Sequence, residues 1–302
     1  MQHAKFIVNP VAGALSTRKK WPLIDSLLKR LGVRFDYQYT EGVGHAIELA
    51  KDATTKGYDR VVAVGGDGTI NEVANGIITS NGTQDISLGI ISTGTGSDFI
   101  KSVGIPHDYV AACSRIHNGR SFPVDVGVVE YHRDDKPMQR YFINTAGIGF
   151  DAAVISVTEK TSKKMGGTIP YLLGVLRTLI SYRNKPVTIT MGDNQETKRV
   201  VSVMVANGRY AGGGMKFAPT AQLDDGLLDM LIISDMGKLE LLKAFPTVYK
   251  GTHLNHPKVK LMQTNYVSVN SADKIPVYAD GELLGEGPVV FRLIPSVLKI
   301  TA

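Results

Sequence analysis

Along residues 1–122, short unbroken apolar runs alternate with stretches in which apolar positions recur every three or four residues. KFIV (5–8), RVVAV (60–64) and SLGIIS (87–92) show no polar alternation, the pattern of strands covered on both faces, and RFDYQYT (34–40) reads as a further strand. Between them, Trp21, Ile24, Leu27, Leu28 and Leu31 predict a helix over 17–31 stopped by Gly32. HAIELAKDATTKG (45–57), INEVANGII (70–78) and YVAACSRI around Cys113 predict helices as well. Strand and helix in alternation predict a Rossmann-like α/β domain with a parallel sheet over 1–122.

From residue 123 the rhythm changes. PVDVGVVEY (123–131), RYFINTAG (140–147), PVTITM (186–191), KRVVSVMVAN (198–207), LLDMLIIS (227–234), YVSVNS (266–271) and PVYAD (276–280) read as strands, most bounded by Gly, Asp or Asn turns. Helical patterns near 170–182 and 238–249 interrupt them. Many strands with few helices predict an antiparallel β-sandwich domain over 123–287.

Composition narrows the function. The 302 residues are 43% hydrophobic and 21% charged, as in ordinary globular proteins. No run reaches the ~18 apolar residues of a membrane-spanning helix, and MQHAKFIVNP lacks the layout of a signal peptide, so the expectation is a cytoplasmic protein. The lone Cys113 reads as a buried small apolar residue, and the histidines lack zinc-hydrolase spacing. A formal charge of +6 calls for an anionic partner: nucleotide, anionic lipid or nucleic acid. With no helix-turn-helix, zinc-finger or RNP-type motif, nucleic acid is set aside.

The strongest local signal is VVAVGGDGTINEV (61–73), a buried strand running through a glycine turn into a helix. Glycines let backbone N–H groups approach phosphate, and a helix N-terminus adds positive potential. Asp67 would repel a bare phosphate, so it reads either as a contact to Mg²⁺ beside the phosphates or as the N-cap of an ordinary turn. The segment is neither a GxxxxGK[ST] loop nor a GxGxxG fingerprint. Asn9–Gly13 and Ser92–Phe99 form two further polar, glycine-bearing turns after strands. In a parallel sheet all three gather at one edge, the place of a ligand site.

These motifs together are similar to the diacylglycerol kinase catalytic-domain family, in the form of the soluble bacterial lipid kinases, which resemble sphingosine kinases and more distantly NAD kinases. The resemblance spans the chain through NPVAG (9–13), TEGVGHA (40–46), GGDGTINEV (65–73), GTGSDF (94–99), NGRYAGGGMKFAPTAQLDDGLLD (207–229) and DGE (280–282). Ser97 departs from the family's usual Asn. The resemblance implies ATP held by Asn9, Pro10, Val11, Ala12, Gly13, Thr40, Gly66, Asp67, Gly68, Thr69, Ile70, Asn71, Glu72 and Thr95, with Asp67 part of the catalytic set. It implies Mg²⁺ at Gln222, Asp225 and Leu227, the first and last through carbonyls, although LDDG alone is equally a plain hairpin turn. It makes Glu282 the proton acceptor with Asp280 close by, where DGE alone would be a surface turn. It also returns the tail, 288–302, to the first domain.

The expected function is ATP- and Mg²⁺-dependent phosphorylation of diacylglycerol or a related membrane lipid, with NAD kinase or a non-catalytic lipid-binding protein of the same fold as alternatives. Six basic residues against Glu159 in 159–185, around an apolar helical pattern, suit docking on an anionic membrane surface at its inner face, through Lys160, Lys163 and Lys164. Family members also form homodimers, so a homodimer is admitted.

Overall fold

The computed structural model describes residues 3–80, 86–162 and 168–302. Lys163 and Lys164 of the basic run lie outside the described residues, as does the side chain of Lys160. No helix of the described residues is long and apolar enough to cross a membrane.

The chain divides into one unit of Met1–Val126 with Pro295–Ala302 and a second of Gly127–Ile294. The first holds β1 (His3–Val8), α1 (Ser16–Arg30), β2 (Arg34–Tyr39), α2 (His45–Thr55), β3 (Arg60–Gly65), α3 (Asp67–Ile78), β4 (Ser87–Ser92), α4 (Asp98–Val103), α5 (Tyr109–Asn118) and the start of β5 (Ser121–Arg133). The second continues with β6 (Lys136–Phe142), β7 (Thr145–Gly149), α6 (Phe150–Ser162), α7 (Thr168–Ser181), β8 (Lys185–Met191), β9 (Asn194–Ala206), β10 (Leu228–Ser234), α8 (Lys238–Lys250), β11 (Val259–Thr264), β12 (Tyr266–Asn270), β13 (Pro276–Ala279) and most of β14 (Glu282–Thr301). The unit boundaries fall inside the long strands β5 and β14, a few residues beyond 122, where the change of sequence rhythm put the first, and beyond 288, where the resemblance put the second.

In the first unit the strands lie in the order β2–β1–β3–β4 with the end of β14 beside β4, all parallel. The order reverses between β1 and β3, the point where such sheets bind ligands. Every residue of β3 and β4 is buried, which explains their unbroken apolar runs. Phe6, Val8, Val62 and Val64 pack with Trp21, Ile24 and Leu28 of α1 and Ala112, Cys113 and Ile116 of α5. Burial pushes the Cys113 thiol up to about 11, so it stays an uncharged core group. Ile7, Val61 and Ala63, also fully buried, point to the opposite face. There α2 and α3 cross so closely that a Cβ on Gly76 would sit 2.5 Å from the Ile47 carbonyl oxygen.

The second unit is antiparallel, and its pairings run β7–β9–β8–β12–β14–β13 and back to β7, with β10 and β11 extending from β9. Closure removes free edges among those strands. Leu228, Met230 and Ile232 of β10 join the inner core, while Leu231 and Ile233 face outward toward helix residues such as Ala152 and Phe245. Covering on both faces accounts for the near-continuous LLDMLII run.

Two expectations need correction. RYFINTAG (140–147) is not one strand: the chain breaks between β6 and β7 at Ile143–Asn144, for a reason given below. Residues 150–162, unassigned from sequence, form α6. Its apolar positions mix Phe and Ala with β-branched Val and Ile and are only weakly one-sided, which hides the helical period.

Candidate functional site

In the first unit, three turns meet beyond the carboxyl ends of β1, β3 and β4. The Asn9 backbone N–H donates to Val64 O at 2.9 Å. Its side-chain amide donates to Thr69 Oγ1 at 2.9 Å, and its Oδ1 accepts the Val11 N–H at 3.2 Å. Gly13 takes φ +60°, and a Cβ there would lie 2.1 Å from Thr93 O. Gly94 lies against Gly66, where an added Cβ would come within 2.6 Å of the Gly66 Cα. Glycine at these points is a requirement of backbone-to-backbone contact.

Helix α3 makes its first intrahelical bond from Ile70 N to Gly66 O at 3.1 Å. The amides ahead of it, at Asp67, Gly68 and Thr69, therefore have no partner within the helix, and Gly68 is exposed. This is the composition of an anion cradle. Thr40, Glu41, Gly42, Val43 and Ala46 wall a pocket with Asn9, Val11, Thr69 and Glu72. Most of the residues expected around ATP thus come together, but Ile70 and Asn71 are buried beneath the turn. Glu72 also braces the neighbouring loop, because its two oxygens accept the N–H groups of Gly44 (2.9 Å) and Ala46 (3.2 Å). Gly44 caps α2 without a side chain, and Glu72 supplies the missing acceptors, fixing the loop that carries Thr40.

Asp67 stands at two helix starts. It opens α3, and its Oδ1 accepts the N–H of Phe99 in the first turn of α4 at 3.3 Å. Burial raises its pKa, against backbone donors that lower it, and Asp98 raises it further. Ser97 adopts φ +52°, a left-handed backbone in which Asn is at ease and Ser is not. Its hydroxyl meets Ser92 Oγ at 2.7 Å and donates to Gly94 O at 3.1 Å, which holds the turn.

In the second unit, Asp280 and Gly281 have φ +45° and +83°, forming the tight connection between β13 and β14. The Asp280 carboxylate accepts the N–H groups of Ile143 (2.8 Å), Asn144 (3.0 Å) and Thr145 (2.8 Å). Those amides, paired to a side chain, cannot serve a ladder, and the strand breaks there. Glu282, two residues on, is partly exposed and pairs with Arg140 at 3.1 Å. Asn144, overlooked in the sequence, donates to Tyr210 O at 2.8 Å and keeps a buried Oδ1 without a partner.

The same unit holds an apolar cavity lined by Phe150, Val154, Val175, Met215, Leu231 and Phe245, among others. Among the described residues, Asp151, Ser202 and His253 are the polar groups on its wall. Ser202 Oγ lies 3.0 Å from Ile148 O and in a short contact with Asp151 Oδ2. A hydroxyl has one proton, and a carbonyl can only accept. If Ser202 donates to Ile148, the Asp151 contact requires a proton on the acid. Burial raises the Asp151 pKa, which agrees. His253 Nε2 meets Phe217 O at 3.1 Å and therefore carries the proton, leaving a buried Nδ1 without a partner.

Residues 3–129 match the model of the diacylglycerol kinase catalytic domain, and 144–302 that of the YegS C-terminal NAD kinase beta sandwich-like domain. A diacylglycerol kinase of Bacillus subtilis (strain 168) is 30% identical over 292 residues, covering 96% of this chain and 93% of the relative. One from Staphylococcus saprophyticus is 30% identical over 299 residues, at 99% and 95% coverage. The chain belongs to the diacylglycerol kinase family. Among solved structures, a diacylglycerol kinase from Bacillus anthracis str. Sterne superposes with a TM-score of 0.74 at 22% identity, covering 99% of this chain and 96% of that one. A further crystal structure from that organism reaches 0.80 at 25% identity, with 99% and 97% coverage. Both share the two-part architecture described above.

The diacylglycerol kinase family implies a divalent cation, and its fit can be tested at Asp225. Among the described residues no group of three His, Cys, Asp or Glu side chains converges on a common point. Asp225 Oδ1 accepts the Leu227 N–H at 3.0 Å. Asp229, missed in the sequence, is 1% exposed at the start of β10, and its Oδ2 is buried without a hydrogen-bond partner. Burial raises its pKa most, and the Asp225 charge adds to this. An orphaned carboxylate oxygen beside a second acid fits a hard cation, and with the Gln222 and Leu227 carbonyls the donors are all oxygen.

Proposed function

We propose that this diacylglycerol kinase family member transfers the γ-phosphoryl group of ATP to the free hydroxyl of diacylglycerol or a closely related membrane lipid. The observation that carries the reading is the turn cluster at the strand-order reversal, where unsatisfied α3 amides, Asn9 and Thr69 offer donors to a polyphosphate. The Asn9–Gly13, Gly66–Thr69 and Thr95 segments would hold ATP. The apolar cavity of the second unit supports an acceptor with hydrocarbon chains.

In the proposed reaction the lipid hydroxyl oxygen bonds to the γ-phosphorus, the bond to the β–γ bridging oxygen breaks, and ADP leaves. The hydroxyl proton passes to the Glu282 carboxylate. Arg140 orients that carboxylate, and Asp280 fixes the hairpin from which it projects. Asp67 would hold a cation beside the phosphates, and Asp225 with Asp229 and the Gln222 and Leu227 carbonyls would hold one in the second unit. Bound there, Mg²⁺ would offset phosphate charge and order the loop 220–229.

The test is a phosphoryl-transfer assay with Mg-ATP and diacylglycerol in mixed micelles, run beside NAD⁺. Phosphatidic acid as product supports the reading. Phosphorylation of NAD⁺ without any lipid product would overturn it.

A further inference from the structure

Helix α8 is apolar on two faces. Leu241, Ala244, Phe245 and Val248 line the cavity. On the solvent side, Leu239, Leu242, Pro246 and Tyr249 recur at spacings of three and four residues, and Leu239 is 76% exposed. A globular helix ordinarily turns its polar residues to water, and a helix apolar all round is covered. Beside this stripe stands Ile180 near the end of α7, 72% exposed, whose carbonyl accepts from Lys238 Nζ. Among the described residues nothing covers this surface.

The charges around the stripe are mostly positive, and Asp235, exposed just before α8, is held by Asn184 and lies against Arg199. Lys238, Lys243 and Lys250 lie on exposed positions of α8, and Arg183 follows α7. The only acid on α8, Glu240, is engaged: it bonds Lys258 at 2.8 Å, lies 3.5 Å from His256 and accepts the Gly237 N–H. An apolar stripe edged with cations is the pattern of a helix lying in the interface of an anionic bilayer, with its apolar side chains below the headgroups and its lysines among them. A protein partner would more commonly present mixed charges, and a second copy of this chain would bring the same lysines against themselves.

We infer that the outer face of α8, with Ile180, is the surface by which this protein docks on an anionic lipid bilayer. The inference rests on the lipid-acceptor reading above and names its partner surface. One helix then meets the bilayer with one face and lines the cavity with the other, so a chain leaving the membrane would travel around α8 alone.

The test uses the full chain without nucleotide. Sedimentation with phosphatidylglycerol-containing vesicles is compared with pure phosphatidylcholine at low and high salt. Wild type should bind the anionic vesicles and lose affinity with salt. Leu239→Gln with Leu242→Gln should weaken binding by about tenfold or more, the scale expected for removing two leucines from an apolar phase. Turnover on detergent-dispersed diacylglycerol should stay within about twofold, because neither side chain lines the cavity. Leu239→Trp should shift its emission to the blue on vesicles and be quenched by brominated lipid, while Trp21, 2% exposed in the first unit, should not respond. Failure of wild type to bind anionic vesicles, or equal binding by the double variant, overturns the inference. So does a double variant that turns a dimer into a monomer with vesicle binding unchanged. If wild type phosphorylates no lipid in detergent, the lipid-kinase reading fails, whatever the vesicle result.

Discussion

The Asn9 side-chain amide donates to Thr69 Oγ1 at 2.9 Å, tying the loop after β1 to the first turn of α3 across the point where the strand order reverses. The bond fixes the spacing of two loops assigned to the same polyphosphate. Thr69→Val removes the acceptor with almost no change of shape and leaves a part-buried amide short of a partner, at a cost of up to about 3 kcal/mol. The KM for ATP should rise roughly tenfold if half of that cost falls on the bound state. Steady-state kinetics checks this, with a lipid KM that stays put.

Asp67→Asn separates the carboxylate's charge from its scaffolding. An amide oxygen can still accept the Phe99 N–H, so the link between α3 and α4 should survive and the melting temperature should stay within a few degrees. Turnover should fall by about 10² or more, since a neutral amide holds a cation poorly beside phosphate. Retention of more than about a tenth of wild-type kcat at saturating Mg-ATP would remove Asp67 from the catalytic set.

Asp280 and Glu282 should fail in different ways. Glu282→Gln should fold normally and bind ATP normally but lose about 10²–10⁴ in kcat, the range of general-base catalysis. Asp280→Ala strands the N–H groups of Ile143, Asn144 and Thr145, and should cost several kcal/mol at about 1–3 kcal/mol per lost partner. Thermal melts and single-turnover rates distinguish the two. A stable Asp280→Ala protein without activity would reverse the assignment.

Mg²⁺ should raise the melting temperature of the wild type, because a cation binds only the folded arrangement of Asp225 and Asp229. Asp229→Asn removes the charge that burial and Asp225 oppose, so the metal-free variant should melt higher than wild type and gain less from Mg²⁺. Differential scanning fluorimetry across a Mg²⁺ titration, without substrates, reads both effects. Identical Mg²⁺ responses would leave the loop 220–229 without a metal.

Asp151 gives a pH prediction of defined sign. Its folded-state pKa is raised, so between the unfolded value and the folded one the native protein holds a proton that the unfolded chain has released. Stability from this group is complete at acid pH and falls as pH rises through that window. Asp151→Asn, which keeps a hydrogen-bonding group facing Ser202, should flatten that slope and melt above wild type at neutral pH. Parallel slopes for the two proteins from pH 5 to 8, near and above the usual carboxylate range, would show that Asp151 is ionised when folded.

The sheet of the first unit is readable from sequence because β3 and β4 are covered on both faces, leaving unbroken apolar runs that need no partner to be recognised. Its glycine-bearing turn is readable because Gly94 lies against Gly66 too closely for a Cβ at Gly94, a demand only glycine meets. What escapes depends on distant partners. Glu72 looks like part of the phosphate loop, and only its contact with α2, 26–28 residues away, shows it fixing Gly44 and Ala46. The break at Ile143–Asn144 is imposed by Asp280, 135–137 residues along the chain. Asp229 reads as an ordinary inward strand position until its unpaired oxygen and the nearby Asp225 are known.

The pairing of Lys299 and Ile300 with Ser87 and Leu88 sets an order of events during synthesis. A nascent chain that has reached residue 126 holds the described helices of the first unit but leaves the edge of β4 open, and about 170 further residues must be made before its partner strand exists. Until then β4, buried at every position in the finished fold, is a bare strand edge of the kind that recruits neighbouring chains. A stop codon after residue 294 would therefore injure the unit whose helices the ribosome makes first, and the visible symptom would be aggregation during expression.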